Sequence, residues 1–138
     1  MRYLRRIIIH CSATREGEEV SVETIRNWHT SPPRNWSDIG YHFVIGLDGT
    51  VFQGRPIDKQ GAHTRGQNAD SIGICYIGGV DKDLNPKDTM TEIQDISLLE
   101  LVKSLRLIFG ELNLHGHNEY SSKACPSFDV QEKYKFLN

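Results

Sequence analysis

The run Ile7-Ile8-Ile9, followed at once by His10, constrains this chain more than any other feature. Successive side chains of a strand face opposite ways, so three isoleucines in a row put apolar surface on both faces. A half-solvated strand would alternate with polar residues. An unbroken apolar run instead fits a central strand of a parallel or mixed sheet covered on both sides. The β-branched character of residues 3–10 agrees with this, and His10 then stands at the strand's C-terminal end, just before a Ser-Ala-Thr turn.

The rest of the chain supplies partners for such a strand. Ser21 is an N-cap candidate with Glu23 in the first turn; Val22, Ile25 and Trp28 follow at helical spacing until Pro32-Pro33 ends the helix. Residues 41–46 and 50–53 form two β-rich arms around Asp48-Gly49, a hairpin signal. Residues 71–77 are apolar at both alternating sets of positions, which makes them a second central strand and Cys75 core. Thr91 and Gln94 form a capping box, after which Ile93, Ile96, Leu99, Val102, Leu105 and Phe109 recur in steps of three and four until Gly110. Residues 112–115 read as a short strand, and a last helical turn is expected near 127–129, after Pro126. No repeat or linker divides the sequence. The expectation is one α/β (α+β) domain over residues 1–138, a central mixed β-sheet flanked by helices.

Composition narrows the function classes. The chain is 38% hydrophobic and 25% charged, which excludes disordered and collagen-like classes. Sixteen Lys and Arg against eighteen Asp and Glu leave a net charge of -2, so no basic field points to nucleic acid. No apolar run reaches the roughly 18 residues of a membrane helix, and the basic start Arg2, Arg5, Arg6 is followed by too short an apolar stretch for a signal peptide. The expectation is synthesis in the cytoplasm, without a signal peptide, and no membrane partner. Three cysteines in such a chain are thiols rather than a disulfide framework: core filler, reactive groups or metal ligands.

No CxxC, HExxH or EF-hand motif is present. The chemistry concentrates instead in residues 115–126, where His117 and Cys125 stand eight apart around Lys123 in a polar loop. Imidazole and thiolate are good ligands for Zn²⁺, and a third ligand from a distant strand end, for which His10 is the candidate, would leave one coordination position open. If His10 faces a metal, strand alternation turns Cys11 away and makes it structural; the same rule separates Tyr41 from His42. Each of these residues also has an ordinary reading: His10 bonded to backbone, Cys125 a small buried hydrophobe, Lys123 a solvated charge, Tyr41 a packed ring. Spacing alone leaves the function open.

Four blocks then resemble a known family: Ile9-His10-Cys11-Ser12-Ala13-Thr14; Trp36 through Gly40-Tyr41-His42-Phe43-Val44-Ile45; Gly61-Ala62-His63 leading to Asn68 and Ser71-Ile72-Gly73-Ile74; and His117 through Lys123-Ala124-Cys125-Pro126. Together, and in this order, they resemble the zinc-dependent type 2 N-acetylmuramoyl-L-alanine amidases, relatives of the peptidoglycan recognition proteins, and among them the small phage lytic amidases, or endolysins. The resemblance implies the fold of that superfamily and hydrolysis of the amide between N-acetylmuramic acid and L-alanine in peptidoglycan. It implies one Zn²⁺ per chain on His10, His117 and Cys125, with Tyr41 and Lys123 catalytic and His63 at the substrate-binding cleft wall. His29 and His115 are expected to be structural, and His42 to support the site or the core. The chain departs from the pattern at Ser127, where many relatives have Gly, and in the charged loop 14–20.

The resemblance further implies a bacteriolytic monomer that acts on the cell wall after release, in phage or prophage lysis rather than dedicated secretion. Three rivals stand beside it. One is a non-catalytic peptidoglycan-binding module, although such relatives typically lack the ligand cysteine. The others are a cysteine peptidase pairing Cys125 with His117 and a closed structural zinc site.

Overall fold

A computed structural model of the chain describes residues 2–138. An interior strand of its main sheet is β1 (Arg6–Cys11), in which Ile7, Ile8 and Ile9 are 0–1% exposed, so both faces are covered as the triple isoleucine requires. Burying each such side chain contributes roughly 1.5–3 kcal/mol before conformational entropy is counted. The further elements in chain order are β2 (Thr14–Arg15), α1 (Val22–Thr30), β3 (Phe43–Ile45), β4 (Val51–Gln53), β5 (Ser71–Tyr76), β6 (Gly79–Val80), α2 (Glu92–Phe109), β7 (Asn113–Gly116) and α3 (Val130–Lys133).

Five strands make one mixed sheet in the order β4-β3-β5-β1-β7. The β3–β4 hairpin is antiparallel, whereas β3–β5, β5–β1 and β1–β7 are parallel. β2 and β6 form a separate parallel pair. In the β1–β5 register Ile7, Ile9 and Cys11 stand beside Ile72, Ile74 and Tyr76, and this face packs with Leu98, Val102 and Leu105 of α2. Ile8 and His10 stand beside Gly73 and Cys75 on the other face, where Cys75 and Val44 pack with Ile25 of α1. Register thus decides that His10 leaves the α2 core and Cys11 joins it.

The helix ends follow local chemistry. Ser21 Oγ accepts the Thr24 N–H at 3.1 Å, and Thr91 with Gln94 closes the expected capping box of α2. Gly110 ends α2 with φ 84°, a conformation that favours glycine. The buried stripe of α2 differs from the expected one. Ile93 and Ile96 are about half exposed, while Gln94, Leu98, Val102 and Leu105 are buried. Gln94 is buried because its amide donates to the carbonyls of Ile45 and Ile77 at 3.3 and 3.1 Å, satisfying two strand-end acceptors and turning the helix.

Two further boundaries shift. The expected last turn at 127–129 forms three residues later, as α3, because Asp129 is its N-cap and accepts the Glu132 N–H. The arm expected over 41–46 is regular only over β3. Gly54 and Arg55 donate to the successive carbonyls of His42 and Tyr41, both at 2.8 Å, which breaks the alternating bond pattern of an antiparallel ladder. Strand alternation therefore does not separate Tyr41 from His42: Tyr41 packs on the α1-side cluster, and the His42 ring is 5.8 Å from that of His63.

Candidate metal centre

Parallel strands deliver the ends of β1 and β7 side by side. His10 is the penultimate residue of β1, and His117 follows β7 directly, at the start of a single 3-10 turn. Their ring centroids are 4.7 Å apart. The segment after residue 120 folds back so that Cys125 Sγ comes within 3.8 Å of His10 Nδ1. The ligand atoms of His10, His117 and Cys125 all lie within 4.8 Å of one another, a group fit to hold a metal ion.

The Cys125 segment is fixed from β1, β5 and β6. The Cys11 N–H donates to Cys125 Sγ at 3.2 Å, the Tyr76 hydroxyl donates to the Pro126 carbonyl at 2.7 Å, and the Ser127 hydroxyl donates to the Gly79 carbonyl at 2.7 Å. Ser127 has φ 73°, in the left-handed region where glycine is at ease. A glycine would adopt this conformation without strain, and the serine here adds a hydrogen bond that a glycine would lack.

Electrostatics suit a cation. Burial, then the neighbouring His63 and His117, holds His10 well below the usual imidazole value; burial, then Lys123, lowers His117. Both rings are neutral at pH 7 and offer lone pairs. The hydrogen-bonded Cys11 thiol, then burial, pushes the Cys125 thiol up, and a divalent ion, if held here, would be the charge to reverse this.

Tyr41 and Lys123 border the same place. The Tyr41 ring centroid lies 5.0 Å from that of His10, and burial, then the thiols of Cys75, Cys125 and Cys11, pushes its phenol well above the ordinary value, so it stays an O–H donor. A cleft of 270 Å³ reaches Tyr41, Trp28, Arg34, His117, Lys123 and Cys125. A second groove of 520 Å³ runs past Trp36, His63, Arg65, His117 and Lys123. His117 and Lys123 are common to both, so the candidate metal group meets both grooves through His117; Cys125 lines only the smaller groove, and His10 is buried behind them. A separate apolar groove between α2 and Phe136 contains no His or Cys.

His63 borders the larger groove but is only 8% exposed, and its ring stands edge-on behind His10. His42 is fully buried; Nδ1 accepts the Gly73 N–H at 3.0 Å and Nε2 donates to the Lys59 carbonyl at 2.8 Å. His29 accepts the Gly40 N–H at 2.9 Å, and His115 pairs with Glu119 at 2.9 Å. Sequence reasoning did not find Thr64, Asn68, Ser71 or the Cys11 amide as parts of the centre. Their contribution is hydrogen-bond geometry, which no spacing encodes.

The model of the N-acetylmuramoyl-L-alanine amidase family matches residues 1–128. The chain belongs to that family. An endolysin of Klebsiella phage KP32 is 42% identical over 125 residues, which cover 91% of this chain and 82% of the relative. Peptidoglycan-recognition protein SC1a of Drosophila melanogaster is 34% identical over 133 residues, covering 93% of this chain and 70% of the relative. Among solved structures, the N-acetylmuramoyl-L-alanine amidase LysC from Clostridium intestinale URNW superposes with a TM-score of 0.80 at 27% identity, covering 97% of this chain and 87% of that one. The amidase fold expected from the four sequence blocks is thus the fold observed, and the family's reaction class is hydrolysis of a peptidoglycan amide. Among the described residues no helix is long and apolar enough to cross a membrane.

Proposed function

We propose that the chain is a zinc-dependent lytic amidase that cuts between N-acetylmuramic acid and L-alanine, with one Zn²⁺ held by His10, His117 and Cys125. The observation that carries this is the convergence of three good zinc donors within 4.8 Å, with His117 lining two open grooves. The scissile amide joins a glycan to a peptide, and a site reached from two sides accommodates such a branched substrate. Two neutral imidazoles and one thiolate leave a divalent ion with a net charge of about +1.

When bound, the ion supplies Lewis acidity at the scissile carbonyl and acidifies the attacking water. The remaining work falls to side chains. Lys123 presents a cation to the oxygen on which negative charge builds, an interaction worth about 3 to 4 kcal/mol per donor in comparable sites. Tyr41, kept protonated by its surroundings, donates a hydrogen bond either to the water or to that oxygen. The enzyme acts as a monomer on the wall after release from the cell that makes it, as an endolysin does.

The experiment is digestion of purified sacculi with and without chelator. New alanine amino groups without new reducing sugar ends, abolished by chelation and restored by zinc, are expected. Wall binding with no released amines would mean a binding module. Turnover that survives zinc removal but not alkylation would mean a cysteine peptidase.

A further inference from the structure

We infer that His63 is a positioning residue, whose ring fixes His10 so that its Nδ1 faces the metal, and that Ser71 sets the tautomer of His63 itself. The inference rests on the metal-site reading above and deepens it.

The protons can be placed by following the chain of hydrogen bonds from its far end. The Ser71 hydroxyl donates its one proton to the Gln67 carbonyl at 2.7 Å. Its oxygen then faces His63 Nε2 at 3.3 Å only as an acceptor, so Nε2 of His63 carries the proton and Nδ1 the lone pair. His63 Nδ1 lies 2.9 Å from His10 Nε2. Two lone pairs at that distance would repel, so His10 Nε2 is the donor. The remaining nitrogen of His10, Nδ1, therefore holds the free lone pair, and it is the atom 3.8 Å from Cys125 Sγ. The Thr64 oxygen, 3.2 Å from His10 Nε2 and 3.0 Å from His63 Nδ1, sits beside this bond.

The fold is shaped to keep the His63 ring there. A Cβ on Gly73 would come within 2.6 Å of the ring and a Cβ on Gly61 within 2.7 Å, so the two glycines form the slot that the ring fills. Asn68 Oδ1 accepts the backbone N–H groups of both His63 and Thr64, at 3.0 and 2.9 Å, and so pins the turn. With His10 1% exposed and His63 8% exposed, water is not available to replace the bond between them. Outer partners of this kind orient a ligating imidazole and raise its basicity, and their loss typically weakens metal binding by about 10- to 100-fold.

The test is the zinc dissociation constant, measured by chelator competition on the purified full chain. His63→Leu is expected to bind zinc about 10- to 100-fold more weakly than the wild type. His63→Asn, which returns an acceptor close to the Nδ1 position, is expected to recover most of that loss. Should the Leu variant fail to fold, Ser71→Ala, which retains the His63 ring but frees its tautomer, is expected to weaken zinc binding several-fold. In the zinc-free wild type, ¹⁵N NMR should show the His10 ring protonated at Nε2 alone. A His10 protonated at Nδ1, a His63→Leu variant with wild-type zinc affinity, or an Asn variant as weak as Leu would each overturn the inference. A wild-type chain that binds no zinc would instead overturn the function proposed above.

Discussion

His10 Nδ1 and Cys125 Sγ, 115 residues apart in the chain, approach to 3.8 Å, and with His117 they form the group around which the rest of the site is built. Removing the sulfur tests it most directly. Cys125→Ser is expected to lose tight zinc binding and wall lysis together, with the fold retained. Zinc content by atomic absorption and turbidity loss of cell walls read the two effects; a Ser variant with full zinc and full lysis would remove Cys125 from the ligand set.

Tyr41 and Lys123 border the cleft without belonging to the proposed ligand triad. Tyr41→Phe and Lys123→Ala are therefore expected to retain wild-type zinc content while turnover falls at least tenfold, and by about 10²- to 10³-fold if each is a full oxyanion donor. Rates equal to the wild type in both variants would disprove their catalytic roles.

Ser127 combines an unfavourable backbone with a favourable hydroxyl. At φ 73° a non-glycine residue costs about 1–2 kcal/mol, and its bond to the Gly79 carbonyl returns about 0.5–1.5 kcal/mol. Ser127→Gly should thus change stability by no more than about 1.5 kcal/mol, whereas Ser127→Ala, which retains the strain and loses the bond, should be destabilised by about 0.5–1.5 kcal/mol. Urea unfolding of the three proteins decides, and an Ala variant as stable as wild type would contradict the assignment.

Stability should depend on pH through the buried histidines. Burial, with nearby arginines, pushes His29 and His42 down to about 4, against an unfolded value near 6.5. Between these values the unfolded chain binds more protons than the folded one, so stability is complete above about pH 6.5 and is lost as pH falls toward 4. The lowered values of His10, His63 and His117 act in the same direction. Thermal unfolding in chelator should show Tm falling from pH 6.5 to 5, above the usual carboxylate range. A constant Tm across that interval would contradict the neutral burial of these rings.

The sequence by itself determined the elements whose signals are local. The triple isoleucine required a strand covered on both faces, Thr91 with Gln94 began α2 and Gly110 ended it, and the four ordered blocks named the family. Local rules reached their limit at Gln94 and Tyr41. A buried glutamine is stable because its amide bonds the Ile45 and Ile77 carbonyls and the Thr91 N–H, and Tyr41 shares a side with His42 because the ladder with β4 is irregular there. Tertiary structure alone decided that His63 stands behind His10, that Ser71 and Asn68 serve that pair, and that the Cys11 amide holds Cys125. Periodicity records which face of an element is apolar, but a proton's position on an imidazole depends on partners from three separate segments, and only packing brings those to 2.9 and 3.3 Å.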